Sequence, residues 1–205
     1  MKNVLLLMMA ATRLSAGIVT VDADGFPDGT PLNNLFPGVT LTAFGSLVPT
    51  QTVTPFTSPF ATTGGQVFAN EFREDWTPGE ATLLVEFATP TSFVAIDFIN
   101  NDGVNGGSGV DFGQLVVFFL GGATATVTTG SVNANEFRTL SYTRPTADII
   151  ALRIGGAQGE DILLDNLRYY SDVPEPSTFR LLLLGLGVRV AWQFVQRKNS
   201  RVAPF

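Results

Sequence analysis

Apolar and polar side chains alternate with a period of two along most of this 205-residue chain. Leu83, Val85 and Phe87, for example, are separated by single residues that would face the opposite way. Such alternation is typical of β-strands with one buried face, and no helical period appears before the C-terminal segment. The pattern predicts strands at 18–21, 39–44, 66–69, 82–87, 93–98, 114–120, 123–128, 137–143, 149–154 and 162–169.

Short breaks that contain glycine or proline separate these segments, for example Asp24-Gly25, Gly64-Gly65 and Gly121-Gly122. Many short strands with such turns between them predict an all-β fold, an antiparallel two-sheet sandwich of jelly-roll type. The segment 114–120 is apolar on both faces, so we expect it in the middle of a sheet with its second face covered. The sandwich is expected to occupy residues 17–172, which is long enough for one domain with a substantial core.

A short internal repeat suggests two related strand units. Gly65–Arg73 and Gly130–Arg138 are identical at seven of nine positions. Each copy precedes two further apolar strands, and the second of these carries Asp97 after the first copy and Asp165 after the other. We expect the two copies to occupy equivalent positions in the two halves of the sandwich.

The N-terminus has the pattern of a secretory signal. Lys2 precedes an apolar run at 4–11, and the small residues Ser15 and Ala16 follow where a signal peptidase would cleave. The sequence therefore predicts a signal peptide at 1–16 and export of the remaining chain.

The C-terminus combines a proline motif, an apolar segment and a basic end. The motif is Val173-Pro174-Glu175-Pro176-Ser177, and its two prolines can continue neither a helix nor a strand ladder, so the backbone stays extended and accessible. An apolar segment follows at 179–196, and Arg197-Lys198 closes it. This order of parts resembles the PEP-CTERM sorting signal of exported bacterial proteins.

The resemblance is confined to residues 173–205, and it concerns destination rather than activity. It implies export to the cell envelope, cell surface or extracellular matrix, with an exosortase-type membrane enzyme that recognises Pro174-Glu175-Pro176. It also implies a membrane helix at about 179–196 and a basic tail on the cytoplasmic side, so that the chain is anchored in the membrane at least transiently.

Charge and composition exclude several classes of function. Residues 17–172 contain 17 acidic residues and five arginines without a lysine, a net charge near −12, which repels nucleic acid. The chain has no histidine and no cysteine, which excludes serine–histidine catalysis and the usual zinc sites. A glycosidase-type enzyme would have to use carboxylates, and Glu74, Glu80, Glu86 and Asp97 cannot be assigned to roles from the sequence.

Aspartates near both ends of the sandwich are candidate calcium ligands. Asp22, Asp24 and Asp28 lie in an early loop, whereas Asp161 and Asp165 flank the last strand. If the first and last strands pair, these five carboxylates could converge on one structural Ca²⁺, which binds six to eight oxygen ligands. Solvated turn aspartates are the alternative interpretation.

Trp76 is a candidate for stacking on a sugar ring. It is the single tryptophan of residues 17–172 and lies in the polar stretch Arg73–Thr77, although packing in the core is the commoner fate of a tryptophan. Thr124, Thr126 and Thr128 are expected to share one face of a strand, as are Thr50, Thr52 and Thr54 if that stretch is extended. Regular threonine rows can bind ice, but they also occur on ordinary solvated strand faces.

These features together predict a non-catalytic, exported β-sandwich of the bacterial cell surface or biofilm matrix that binds extracellular polysaccharide or is embedded in it. Two alternatives stay open. A carboxylate-dependent glycosidase would place two carboxyl groups about 5 to 10 Å apart in a cleft. A structural or adhesive surface protein would lack a concave pocket with an aromatic side chain.

Overall fold

The computed structural model describes residues 17–46, 48, 50–71, 73–77, 80–102, 109–157 and 161–171. This part of the chain contains eleven strands and no helix. The strands are β1 (Gly17–Val21), β2 (Val39–Phe44), β3 (Val53–Thr57), β4 (Gln66–Asn70), β5 (Thr82–Thr91), β6 (Phe93–Ile99), β7 (Val110–Phe119), β8 (Thr124–Asn133), β9 (Phe137–Thr143), β10 (Ile149–Gly156) and β11 (Leu163–Ser171).

The strands form two antiparallel sheets, which confirms the predicted all-β, two-sheet fold. One sheet has the order β3-β4-β11-β6-β9, with β1 paired to β11, and the other has the order β2-β5-β10-β7-β8. Strands β4 to β11 therefore alternate between β4-β11-β6-β9 and β5-β10-β7-β8, which is the strand arrangement of an eight-stranded jelly roll. The first and last strands pair as expected, with Gly17 opposite Ser171.

The core lies between the inner faces of the two sheets. Its largest fully buried side chains include Trp76, Phe68, Phe98, Leu83 and Leu152. These residues lie within Ala16–Asp172, which forms one compact unit, so this segment contains the packing that stabilises the sandwich. Burial of apolar surface is the dominant favourable term in folding, and we therefore expect the segment to fold by itself.

Two expectations about strands need correction. Strand β3 was not predicted, because Pro55 interrupts it; proline is tolerated there because β3 is an edge strand. Strand β7 does lie between two neighbours, but its second face is only half-buried, with Gln114, Val116 and Phe118 on the outer surface of the sheet.

The two copies of the internal repeat do not have the same structure. The first forms β4 and the turn after it, whereas the second ends β8 in one sheet and begins β9 in the other. The repeat therefore does not define two equivalent units. The aspartates that follow it are nevertheless related, because Asp97 and Asp165 face each other across β6 and β11.

Several expectations lie outside the described residues. These are the signal peptide at 1–16, the sorting motif at 173–177 and the membrane helix at 179–196. In the described part of the chain there is no helix with the length and apolarity needed to span a bilayer.

Candidate binding site

A cavity of about 480 Å³ lies beside the edge strand β3. Three segments surround it: the loop from Asp28 to Pro31, the residues from Thr52 to Phe56 at the start of β3, and the turn that contains Glu71 and Arg73. This volume lies within the range of about 300–1,000 Å³ that is usual for small-molecule sites. We call it the β3 cavity.

Phe56 is the aromatic side chain of the β3 cavity. Its register partner Val67 packs in a small apolar cluster, whereas 42% of the surface of Phe56 remains exposed. The neighbouring Pro55 carries no N–H group, so the edge of β3 has lost one of the donors that would pair with another strand. An exposed ring therefore lies in a concave site on an edge that is poorly suited to strand pairing.

Asp28 lies at the cavity wall in a fixed orientation. Its Oδ1 atom accepts hydrogen bonds from Gln66 Nε2 at 3.0 Å and from Thr57 Oγ1 at 3.2 Å. Gln66 Nε2 also donates to the Phe26 carbonyl at 2.7 Å, which ties the loop to β4. The carboxylate is consequently held as a hydrogen-bond acceptor beside the cavity.

Arg73 is the cation of the cavity lining, and it is surrounded by carboxylates. Its guanidinium lies 3.2 Å from Glu80 Oε2, 3.4 Å from Asp161 Oδ2 and 3.9 Å from Asp75 Oδ2. Burial, and then the charge of Asp161, raise the pKa of Asp75, while Arg73 acts in the opposite direction. The positive charge is therefore balanced locally, and Asp28 and Glu71 leave the cavity acidic.

A cluster of polar side chains lies on the outer face of the β6–β11 pair, beneath the loop 58–65. Asp165 is fully buried and Asp97 is 4% exposed. The Thr62 hydroxyl lies 2.8 Å from Asp165 Oδ2 and 3.2 Å from Asp97 Oδ2. Asp97 also accepts from Arg168 at 2.5 Å and from Thr139 at 2.6 Å.

Backbone groups of the loop complete the environment of Asp165. Its carboxylate accepts the N–H groups of Thr62 at 2.8 Å, Thr63 at 3.3 Å and Asn166 at 2.8 Å. Burial raises the pKa of Asp165, and these hydrogen bonds oppose the increase. A bulge after Asp165, with Asn166 at φ = 51°, provides the geometry for the last of these bonds. The two carboxylates are thus occupied in holding the loop and are not open to solvent.

Asp24 fixes the other end of the same loop. It accepts hydrogen bonds from the N–H groups of Gly65 and Gln66, both at 3.1 Å. A Cβ atom at Gly64 would lie 2.1 Å from the Asp24 carboxylate, and Gly64 has φ = 57°, so glycine is required at this approach. Loop 58–65 is therefore held by carboxylates at two points.

The structure corrects the stacking role expected for Trp76. Its side chain is 0% exposed, and Nε1–H donates to the Phe68 carbonyl at 2.8 Å. The backbone of Trp76 is also hydrogen-bonded: its N–H donates to the Ile162 carbonyl, and its carbonyl accepts from Gly156 N–H. The ring cannot reach a sugar, and packing in the core is the interpretation that holds.

The five aspartates expected to share a calcium ion do not form one ligand set. Asp161 pairs with Arg73 and accepts from Thr77, whereas Asp28 bonds Thr57 and Gln66. Asp24 and Asp165 are each occupied by backbone N–H groups of loop 58–65, and burial followed by the charge of Asp24 raises the pKa of Asp22. In the described residues there is no group of three or more His, Cys, Asp or Glu that could hold a metal ion.

Sequence reasoning missed Phe56 as a site residue. Pro55 interrupts the strand pattern around Phe56, so that β3 was not predicted. The chain has 17 phenylalanines, and no local sequence signal distinguishes Phe56 from the others. Two members of the suggested row of Thr50, Thr52 and Thr54, namely Thr52 and Thr54, line the β3 cavity.

The β3 cavity thus belongs to an antiparallel two-sheet sandwich. The C-terminal segment places the chain among proteins with a known sorting signal. Residues 172–198 match the family model of the PEP-CTERM protein-sorting motif. This match confirms the resemblance seen at Val173 to Ser177, and it implies export and sorting to the cell envelope. The match covers only the C-terminal segment and says nothing about the sandwich.

No curated protein matches the sequence of this chain. Several solved structures are similar to it at low identity, and three of them are described below. The CBM22-1 and GH10 modules of Clostridium thermocellum endo-1,4-beta-D-xylanase 10B, complexed with xylohexaose, share 15% identity with a TM-score of 0.42, over 67% of this chain and 26% of that chain. This chain therefore spans about a quarter of that structure.

The C-terminal family 22 carbohydrate-binding module of the same C. thermocellum enzyme shares 15% identity with a TM-score of 0.42, over 76% of this chain and 99% of that one. A family 29 carbohydrate-binding module shares 10% identity with a TM-score of 0.39, over 79% and 100% of the two chains. The architecture described above rests on the strand pairing of the present chain.

Proposed function

We propose that this protein is an exported, non-catalytic polysaccharide-binding protein of the bacterial cell surface or extracellular matrix. Export rests on the C-terminal sorting motif, which an exosortase-type enzyme would recognise at Pro174-Glu175-Pro176. The segment at 179–196 would hold the chain in the membrane until that step. Binding is assigned to the β3 cavity.

The observation that carries the binding proposal is an exposed aromatic ring within a concave polar site. A sugar ring has an apolar face and a polar edge, so it needs a flat apolar surface together with fixed hydrogen-bonding groups. Phe56 offers the surface, and Asp28, Thr52 and Glu71 offer oxygen atoms around it. A purely structural surface protein has no need of this combination.

The charge of the cavity selects the type of polysaccharide. Asp28 and Glu71 are acidic, and Arg73, which is the only cation among the described lining residues, is paired with neighbouring carboxylates. A uronic-acid polymer would be repelled by these groups and by the net charge near −12 of residues 17–172. The proposed ligand is therefore a neutral polysaccharide.

The burial of one close pair of carboxylates supports the proposal that the protein is non-catalytic. Asp97 and Asp165 are close together, but both are buried and bonded to loop 58–65. A glycosidase needs one carboxylic acid and one carboxylate that reach the scissile bond. The proposed protein therefore releases no reducing sugar from a polysaccharide that it binds.

Replacing Phe56 by alanine is expected to weaken polysaccharide binding at least about tenfold, because an aromatic anchor that the ligand covers typically contributes about 2 kcal/mol or more. Affinity electrophoresis of residues 16–172 in gels that contain neutral polysaccharides measures this change. Phe44→Ala is the matched control, since Phe44 is exposed to a similar extent, 48%, but lies on the other sheet.

Equal retardation of the Phe56→Ala variant and the unmodified protein would contradict the assignment of binding to the β3 cavity. Release of reducing ends during a long incubation would instead favour the glycosidase alternative. In that case Asp28→Asn and Glu71→Gln should abolish the release.

A further inference from the structure

The edge strands of the two sheets differ in how they are protected. Backbone groups of an unpaired edge strand can pair with another chain, and proteins usually blunt them with charges, proline or a covering loop. Strand β2 is covered, because Leu41 N donates to Asn33 O at 2.9 Å and Ala43 N donates to Gln51 O at 3.2 Å. Strand β3 contains Pro55, and Leu32 N in a neighbouring loop donates a hydrogen bond to Val53 O.

Strand β8 lacks these devices between Thr124 and Thr128 in the described part of the chain, and its bulge opposite Gly113 lies beyond that stretch. Its ten residues, TATVTTGSVN, include neither a charge nor a proline. Strand β9, the other edge on the same side of the sandwich, carries Arg138, which pairs with Glu136. Among the residues that the structure describes, no backbone bond from a loop reaches the segment from Thr124 to Thr128.

The register shows which backbone groups of β8 face outward. Phe119 N donates to Ala123 O at 2.9 Å, and Gly113 N donates to Thr129 Oγ1 at 2.9 Å, so odd-numbered residues of β7 point their N–H groups toward β8. Bonded and non-bonded pairs alternate in an antiparallel ladder. The backbone groups that point away from β7 are therefore those of Thr124, Thr126 and Thr128.

We propose that β8 is a self-association edge, at which two copies of this chain pair antiparallel across a two-fold axis at Thr126. In this register Thr126 faces its own symmetry mate, and Thr124 of one copy faces Thr128 of the other. Each of these residues has one donor and one acceptor directed outward, and the pairing satisfies all of them. The two five-stranded sheets become one continuous ten-stranded sheet.

The chemistry of the strand favours a second copy as the occupant. A two-fold axis brings identical residues together, so a charged edge would repel itself, and β8 has no charge. Thr124, Thr126 and Thr128 are exposed on the same face, and directly opposed threonines form favourable cross-strand pairs. This inference does not depend on the β3 cavity or on its ligand.

Sedimentation velocity of residues 16–172, from micromolar to millimolar concentration, tests the proposal. The unmodified protein is expected to dimerise, and amide hydrogen exchange at Thr124, Thr126 and Thr128 is expected to slow as the dimer forms. Thr126→Pro removes an outward N–H without loss of a bond to β7, and Thr126→Lys places like charges on the axis. Each variant should weaken dimerisation at least about tenfold while the melting temperature of the monomer is retained.

Thr42→Lys is the matched control, because Thr42 lies on the same outer face at the opposite, covered edge. It should dimerise like the unmodified protein. A monomer at every concentration would overturn the proposal, as would dimers that neither Thr126 variant weakens. Equal loss of dimer in the Thr42→Lys variant would show a general charge effect and would also overturn it.

Discussion

Replacement of Trp76 by alanine is expected to lower the free energy of unfolding by about 3–5 kcal/mol, the range for loss of a large buried aromatic side chain. The side chain fills the core between the sheets, and its indole N–H satisfies the Phe68 carbonyl. Removal creates a cavity and leaves that buried carbonyl without its donor. Urea or guanidinium denaturation of residues 16–172 measures the difference.

Trp76→Phe is the graded control, because it retains most of the packing and loses the hydrogen bond. Its effect should be smaller, about 1–3 kcal/mol. Trp76 is also the single tryptophan of residues 16–172, so its fluorescence should be blue-shifted and protected from acrylamide. Red-shifted, readily quenched emission that responds to added saccharide would restore the stacking role and contradict the buried position.

Replacement of Asp165 by alanine is expected to lower the free energy of unfolding by about 2–4 kcal/mol and to release loop 58–65 from the sheet, because one buried donor and several partly buried donors lose their acceptor. Those donors are the N–H groups of Thr62, Thr63 and Asn166 and the hydroxyl of Thr62. Hydrogen exchange should accelerate at the Thr62 and Thr63 amides, and limited proteolysis should cleave within the loop.

Asp148→Ala provides the comparison for Asp165. Asp148 forms an ion pair with Arg144 near the protein surface, at 2.7 Å, and exposed pairs contribute little to stability. Its removal should lower the free energy of unfolding far less than the removal of Asp165, because this bidentate pair lies near the surface, and should leave the loop amides unchanged. If the two variants behave alike, loop 58–65 is not held by Asp165.

Most of the strands could be predicted from the sequence, because a strand with one buried face alternates apolar and polar residues with a period of two. Strands β2 and β9 have the bounds that this alternation predicts, 39–44 and 137–143. Strand β3 was missed for a local reason, since Pro55 removes a donor that an interior strand would need, whereas an edge strand tolerates the loss. The burial of the outward-facing side chains of β7 was also not predictable, because it depends on which elements cover that face of the sheet.

The site was less predictable than the fold, because it depends on contacts between distant residues. Asp28 was singled out as a calcium ligand, but its neighbours Thr57 and Gln66 are 29 and 38 positions away. Asp97 and Asp165 meet only through the pairing of β6 with β11. The sequence left the burial of Trp76 open, because polar neighbours along the chain do not determine whether a side chain is buried. Its burial depends on contacts with distant residues, such as the Phe68 carbonyl and the facing sheet.

The most direct measurement of the central proposal is the binding of purified residues 16–172 to an array of neutral and acidic glycans, with the Phe56→Ala variant applied to a second copy of the array. The unmodified protein is expected to bind at least one neutral glycan, the variant is expected to lose this signal, and neither protein is expected to bind uronic-acid polymers. Absence of binding to every glycan, or signals that Phe56→Ala leaves intact, would contradict it.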